Sequence, residues 1–369
     1  MPSVVHITTV HSPFDNRIFH RECKTLLEAG YDVSLVAAHE RDETVDGIRI
    51  CSFRRPGGRL ARMTLGVWRA MRVAMRQGSR IYHFHDPEFI PAALVLWVLG
   101  KRVIYDIHED NSTALLEREY LPRALRSIIA RTLSVCERLA TAPFRQVLAE
   151  RYYAERFPRG HTVLNYARLP DIDDAKLQER PSAGDVRLLY TGNVKDYRGG
   201  FHHVRILHQV ANAEVFLVGR CDPSLAKELY RAADTEKGRL HLEGIGHYVA
   251  HERIIEHYLR ERWTAALAIF PPGRHTLRKE LTKIFEYMIY GLPVICSDFP
   301  NLRRIVANNE CGLCVDPEDD RAIAEAVRYL SEHPEEAERL GSNGRRAAQA
   351  HFHWDLQAEN LLALYADLT

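Results

Sequence analysis

Short apolar runs rich in β-branched residues alternate along this chain with longer stretches of helical period. Val4–Val10 predicts a strand, Arg17–Ala29 a helix closed by Gly30, and Asp32–Ala37 a second strand. Ile81–Phe84 precedes a helical Pro87–Leu99, and Val103–Ile107 precedes a helical Pro122–Leu139. A polar segment from Leu169 to Asp185 interrupts the pattern, which then restarts. Val186–Tyr190, Val215–Val218, Ala265–Phe270, Leu292–Cys296 and Gly312–Val315 predict strands separated by amphipathic helices. Three helical segments, about 318–331, 334–350 and 354–368, close the chain, with His351-Phe352-His353-Trp354 as a break carrying a large anchor. Strands alternating with helices over short connections predict parallel sheets covered on both faces. Two such sets about a linker near 170–185 predict an α/β protein of two doubly wound domains. Such sheets take ligands at the carboxyl ends of their strands, so the expected site is a cleft between the domains.

The length of 369 residues agrees with two domains of about 150 residues each. With 46% apolar and 27% charged residues, disordered, collagenous and coiled-coil chains are excluded. The most apolar run, Ile90–Leu99, is far short of the roughly 18 residues of a spanning helix. Met1-Pro2-Ser3 leads directly into Val4-Val5-His6-Ile7, without the basic start of a signal peptide. Seven scattered cysteines fit a reducing cytoplasm. Charge is unevenly divided: residues 1–170 carry +7 and the remainder −6, so the halves are expected to meet different partners.

Lys279 to Ile295 is the most informative stretch. It predicts a loop, a helix from about Leu281, Gly291 as its left-handed cap, and a buried strand. Free N–H groups at that helix start form an anion site, to which Lys283 adds a full charge. Glu286, one turn on, is placed to accept the two hydroxyls of a ribose. The competing reading is a surface pair between Lys283 and Glu286.

The segment Thr282-Lys-Ile-Phe-Glu-Tyr-Met-Ile-Tyr-Gly-Leu-Pro-Val-Ile resembles the donor-binding motif of family 4 retaining glycosyltransferases, also known as group 1. Four further segments resemble the same family in the same order: Val10–Phe19, His83–Glu88, Tyr105–Asp110 and Tyr190–Gly199. The resemblance implies the GT-B fold, two Rossmann-like domains facing across a cleft. Residues 1–168 would form the acceptor side, 169–350 the nucleotide-sugar domain, and 351–369 a helix packing back toward the first domain. It also implies retention of anomeric configuration, a UDP- or GDP-sugar donor, a saccharide acceptor, no cofactor and no obligatory metal. A nucleic-acid partner is not expected.

Carried over by position, the family's diphosphate clamp falls on Asn193 and Arg198, beside Gly192, so one of two basic residues is absent. Arg198 suits the task because guanidinium binds phosphate bidentately and keeps its charge. Lys283, or else Lys195, is the candidate replacement for the missing charge. The second residue of the family's acidic pair matches Glu286, but the first falls on Arg278. Either Glu280 or Arg278 approaches the sugar differently, or the sugar is itself acidic and pairs with Arg278; a plain surface arginine is the competing reading. Leu281 and Thr282 complete the helix start, and Gly244 and Ile245 match where relatives read the base through backbone groups.

His108 matches a family histidine that faces the donor sugar, and with Arg198 and Lys283 it forms the expected catalytic set. Asp15, Arg17, His85 and Glu109 are expected on the acceptor side. A metal held by His83, His85 and His108 is the weaker alternative, because no acidic supporting shell is legible. Cys311-Gly312-Leu313-Cys314 reads as buried thiols in a strand. Eight arginines and no acid occupy 54–80, around Trp68 and Met71. This segment is either a cationic amphipathic helix on anionic lipid or a helix packing Trp68 and Met71 on the sheet. The first reading predicts an enzyme at the inner face of a cytoplasmic membrane with a lipid-linked acceptor, in cell-surface polysaccharide or glycolipid synthesis. The alternatives are a nucleotide-sugar epimerase or hydrolase on the same fold, or a non-catalytic nucleotide-sugar-binding protein.

Overall fold

A computed structural model describes residues 1–108, 123–170, 186–260, 263–273 and 276–368. Glu109 and the linker stretch 171–185 lie outside the described residues. The chain divides into two compact units, residues 1–168 with 354–369, and residues 169–353.

The first unit is built on β1 (Ser3–Ile7), β2 (Asp32–Ala38), β3 (Glu43–Val45), β4 (Ile48–Phe53), β5 (Ile81–Phe84), β6 (Arg102–Ile107), β7 (Arg145–Leu148) and β8 (His161–Thr162). They form one sheet in the order β3-β4-β2-β1-β5-β6-β7-β8. All neighbours are parallel except β3 and β4, an antiparallel hairpin. Its turn is Asp46-Gly47, both at positive φ (49° and 81°), the Asp-Gly chemistry that matches strand twist. Alternation along β1 sends Val5 and Ile7 to one core, shared with Phe84 and Tyr105. Val4 enters the other core with Ile81, Ile104, Phe19 and Trp354.

The helix Trp354–Ala366 belongs to this first unit. Trp354 is fully buried and donates its indole N–H to Thr25 Oγ1 at 2.8 Å. Gln357 Oε1 accepts from the Leu164 N–H at 2.8 Å. The boundary falls between His353 and Trp354, three residues past the expected 350, because the preceding helix runs unbroken from Pro334 to His351.

The second unit contains β9 (Val186–Thr191), β10 (Ala213–Cys221), β11 (Leu240–Ile245), β12 (Ala265–Ala268), β13 (Val294–Ser297) and β14 (Gly312–Val315). Their order is β11-β10-β9-β12-β13-β14 and every pair is parallel. That is the doubly wound dinucleotide-binding order, with winding reversed between β9 and β12. The first sheet repeats it from β4 to β7, with the reversal between β1 and β5. All four residues of β12 and of β13 are buried, as strands covered on both faces require. Cys311 is buried just before β14, and Cys314 within β14 is half-buried with its Sγ 3.6 Å from that of Cys296.

Glycines let the carboxyl ends of the second sheet close up. A Cβ on Gly219 would lie 2.2 Å from the Gly192 carbonyl oxygen, and one on Gly244 would lie 2.6 Å from that of Gly219. Gly199, at φ 81°, starts the helix Gly200–Gln209; a Cβ there would meet the Ile269 carbonyl oxygen at 1.8 Å. Gly199→Ala should therefore cost about 2 kcal/mol or more, from strain and backbone displacement together. The midpoint of denaturant unfolding measures this, and an unchanged midpoint would refute the close approach.

Candidate functional site

In the second unit, chemistry gathers at the carboxyl ends of β9 and β12, where the winding reverses. The helix Thr282–Ile289 starts there with Leu281 as its N-cap residue, and no side chain caps it. Its first turn thus leaves backbone N–H groups for another acceptor. Lys283, in that turn, is 9% exposed, and its Nζ makes no hydrogen bond. The ammonium lies 3.7 Å from the centroid of the Tyr190 ring and 4.8 Å from that of Phe270. A Cβ on Gly192 would stand 3.7 Å from the same Nζ. Burial, and then the charge of Arg198, hold the Lys283 amine well below the ordinary lysine range, with Glu286 offsetting part of the shift. The surface Lys283–Glu286 pair is therefore excluded: Lys283 is a buried cation resting on aromatic faces.

Glu286 is half-buried and accepts the Tyr258 hydroxyl at 3.1 Å. Tyr258 in turn lies 2.7 Å from Thr191 Oγ1, and the Thr191 N–H donates to the Tyr287 hydroxyl at 2.9 Å. This chain fixes the carboxylate against the end of β9. Arg198 ends the helical turn Asp196–Arg198, and Tyr190 donates its hydroxyl to the Asn193 carbonyl at 2.9 Å. Gly244 and the 37% exposed Ile245 end β11 on the same edge.

Two expectations need correction. Lys195 is engaged in an ion pair with Asp222 and does not replace the missing cation. Glu280 is buried in an ion pair with Arg304, which directs its carboxylate to that partner, and Arg278 is exposed two residues earlier. Sequence reasoning passed over Tyr190, Tyr258, Tyr287, Thr191 and Phe270. Val218-Gly219-Arg220, a glycine closing an apolar strand, was the legible pointer to this edge.

In the first unit a buried network occupies the reversal between β1 and β5. Arg17 grips Asp106 with two hydrogen bonds of 2.8 Å. Asp106 also meets His85 Nδ1 at 3.1 Å and His108 Nδ1 at 3.0 Å. Burial alone would raise the Asp106 carboxyl, but Arg17 and the two imidazoles hold it well below the usual range. His108 responds in the opposite direction: burial works against its charge, yet the bond to Asp106 and its negative charge raise its pKa. The other ring nitrogen of His108 lies 2.9 Å from His11 Nε2. Asp15 accepts the backbone N–H groups of Arg17 and Ile18 at 2.8 and 3.0 Å, anchoring the turn that carries Arg17. Arg17 and His85 are 4% and 2% exposed. Both are supports beneath His108, unlike the acceptor-facing groups the sequence predicted. Asp86, unremarked as a site residue, accepts from Thr8 Oγ1 at 2.9 Å and from the Thr9 N–H at 2.6 Å.

The arginine segment divides between two roles. Met71 packs against the core while Trp68 is largely exposed, with Arg72 5.3 Å from its ring. Arg62 binds Glu88, and Arg55 donates to the carbonyls of Thr9 and Val10. Packing Trp68 on the sheet is thus excluded, and part of the arginine set is structural.

Residues 178–347 match the family model described as glycosyl transferases group 1. The chain is 26% identical over 269 residues to the D-rhamnosyltransferase WbpZ of Pseudomonas aeruginosa, covering 71% of this chain and 66% of that one. It is 28% identical over 220 residues to alpha-maltose-1-phosphate synthase of Mycolicibacterium smegmatis, covering 55% and 54%. The chain thus spans no more than 66% of the length of these curated relatives. Among solved structures, sucrose-phosphate synthase from Thermosynechococcus elongatus superposes with a TM-score of 0.72 at 19% identity, over 100% of this chain and 99% of that one. Anabaena HepE, solved with UDP and glucose, gives 0.72 at 11% identity over 100% of both chains. Residues 178–347, within the second unit, are thus similar to group 1 glycosyl transferases, and the protein has the GT-B fold.

Proposed function

We propose that the protein is a retaining glycosyltransferase that moves a sugar from a UDP- or GDP-sugar to an acceptor hydroxyl. The observation that carries this reading is Lys283: a buried cation without a hydrogen-bond partner, at an uncapped helix start, within the electrostatic reach of Arg198. A diphosphate supplies the charge and the acceptor oxygens that this arrangement lacks. Glu286, held by Tyr258, is assigned to the ribose hydroxyls. The complex of Anabaena HepE with UDP and glucose supports a donor of the same chemical kind.

In the retaining reaction the acceptor attacks from the face that the diphosphate leaves, and a leaving-group oxygen takes its proton. Stabilisation of the growing negative charge by Arg198, Lys283 and the helix start then does the catalytic work, without a metal. His108, with Asp106 fixing one ring nitrogen, is suited to hydrogen-bond a sugar hydroxyl or steady positive charge at the anomeric carbon.

Release of nucleoside diphosphate that depends on added acceptor is the expected result of a donor-consumption assay. Donor loss independent of acceptor would identify a hydrolase, and binding without consumption a non-catalytic protein. Calorimetry with UDP and GDP in EDTA tests the site itself. Lys283→Ala and Arg198→Ala should each lose about 2–3 kcal/mol of stabilisation of the diphosphate. Because Lys283 starts with a lowered pKa and a bound diphosphate raises it, binding should take up a proton only at pH values above the free-state pKa of Lys283. Below that pKa the amine is already charged and no proton is taken up. Affinity is then full below the free-state pKa of Lys283 and falls as pH rises through it. Proton uptake of equal size in Lys283→Ala would remove this assignment. Glu286→Gln should weaken nucleotide binding while the melting temperature barely moves; a change in stability alone would return Glu286 to a structural role.

The acceptor side is proposed to meet an anionic membrane at its cytoplasmic face, with a lipid-linked saccharide as acceptor. Support comes from the +7 charge of residues 1–170 and from apolar side chains exposed on unit-one helices: Leu60, Trp68, Val98, Ile128 and Leu139. No described helix is long and apolar enough to cross a membrane, so contact would be peripheral. Each basic residue near such a surface adds about 1 kcal/mol. Flotation should show binding to anionic vesicles at low salt, weakened by salt and by Trp68→Ala. Indifference to vesicle charge at both salts would end the membrane assignment.

A further inference from the structure

Apart from His85, which also bears on Asp106, the chemistry proposed above gives no role to an enclosed polar cluster of the first unit. His6 on β1 and His83 on β5 are directly opposite in parallel register, and His85 follows two residues on. All three rings approach Glu22, which the helical turn Ile18–Cys23 brings in from the adjoining layer. None of the four side chains is more than 2% exposed. Glu22 Oε2 lies 3.9 Å from His6 Nδ1, 4.0 Å from His83 Nδ1 and 3.9 Å from His85 Nε2. Those separations are too long for hydrogen bonds to the three rings, and the carboxyl of Glu22 instead adjoins Asp106. Arg17 Nε stands 3.1 Å from Oε1 but is already committed to Asp106. His6 Nδ1 and His85 Nε2 share a hydrogen bond of 3.0 Å, which an ion would replace, and one ligand-type atom from each of the four residues falls within 4.8 Å of the others.

A single carboxylate oxygen nearly equidistant from three imidazole nitrogens, with none of them bonded to it, describes the corners of a coordination polyhedron. We propose that His6, Glu22, His83 and His85 form a binding site for one divalent transition-metal ion of the zinc type. A tetrahedral zinc with bonds of about 2.0–2.1 Å holds its ligand atoms about 3.3 Å apart. Four of the six separations, 3.0–4.0 Å, bracket that spacing and the other two lie within 4.8 Å, so side-chain shifts of about an ångström close the site. Three imidazoles and one carboxylate are a nitrogen–oxygen set that zinc favours. The supporting shell is present as well: His85 Nδ1 meets Asp106 at 3.1 Å, the carboxylate–histidine arrangement that orients metal-bound rings. His6 Nε2 meets the Tyr365 hydroxyl at 3.3 Å. Tyr365 also meets His83 Nδ1 at 2.9 Å, a bond that gives way when that lone pair turns to the ion.

The site is closed to solvent on every ligand, so the ion enters as the chain folds and leaves only when it unfolds. It joins β1, β5 and the Ile18–Cys23 turn, and through Tyr365 it bears on the helix Trp354–Ala366. Its role is structural, and no step of sugar transfer passes through it.

Full-length protein expressed in zinc- or cobalt-supplemented medium and purified through EDTA tests the proposal by elemental analysis. The expected result is about one equivalent of metal retained per chain, with the visible absorption bands of low-symmetry cobalt(II) in the cobalt form. Glu22→Gln and His83→Gln should each lose the retained metal and lower the melting temperature of zinc-grown protein, while circular dichroism reports an intact fold. Wild-type protein that retains no metal from either medium overturns the site. So does equal retention by the Glu22→Gln/His83→Gln double variant. Should both variants fail to fold, wild-type metal content and the cobalt spectrum decide alone.

Discussion

Between β1 and β5, and again between β9 and β12, connecting segments leave in opposite directions, so the carboxyl ends of those central strands are left uncrossed. The chemistry-bearing groups of each unit follow from this constraint. In the first unit it places His6, Thr8 and Thr9 beside His83, His85 and Asp86. In the second it places Tyr190, Thr191 and Gly192 beside Phe270 and the start of the Thr282–Ile289 helix. Glycine makes the second arrangement tight, because Gly219 and Gly244 let three strand ends approach where a Cβ would collide with the neighbouring carbonyl.

The two crevices handle charge in opposite ways. Around Asp106 the first pairs its ions internally: Arg17, Asp106, His85 and His108 orient one another. Such a network is rigid, since removing one member leaves a buried charge uncompensated. The second keeps a cation in store. Lys283 is desolvated on two aromatic faces, and the burial that lowers its basicity also strengthens its attraction for an arriving anion. A binding site is expected to tolerate this imbalance, because its ligand completes it.

The doubly wound architecture was legible because apolar strand runs and helical periods alternate cleanly; Ile81–Phe84 and Gly312–Val315 were read to the residue. The hairpin β3–β4 was passed over, although Asp46-Gly47 between short apolar runs is a strong turn signal. Among candidate site residues, Lys283 and Glu286 were found from spacing and from resemblance. Their environments were not, since Tyr258 and Tyr190 reach them from elements distant in sequence. Glu280 and Lys195 show the converse failure. Their partners Arg304 and Asp222 lie 24 and 27 residues away, and only folding reveals that they are occupied. Arg17, His85 and Glu22 were equally opaque, because a charged residue's sequence neighbours do not report complete burial.

The first unit is discontinuous in the chain, residues 1–168 being completed only by 354–369. During synthesis the core of this unit must therefore wait until the segment from Trp354 has followed the second unit out of the ribosome. Until Trp354 and Tyr365 arrive, the Thr25 hydroxyl lacks its indole donor and His83 lacks its phenol. The second unit, continuous in sequence, can close first, since domains generally fold as units. The order of emergence from the ribosome is thus opposite to the order of completion: the half of the protein made first is finished last. A nascent chain halted before Trp354 would leave uncovered the apolar seam that Trp354, Leu361 and Leu364 fill.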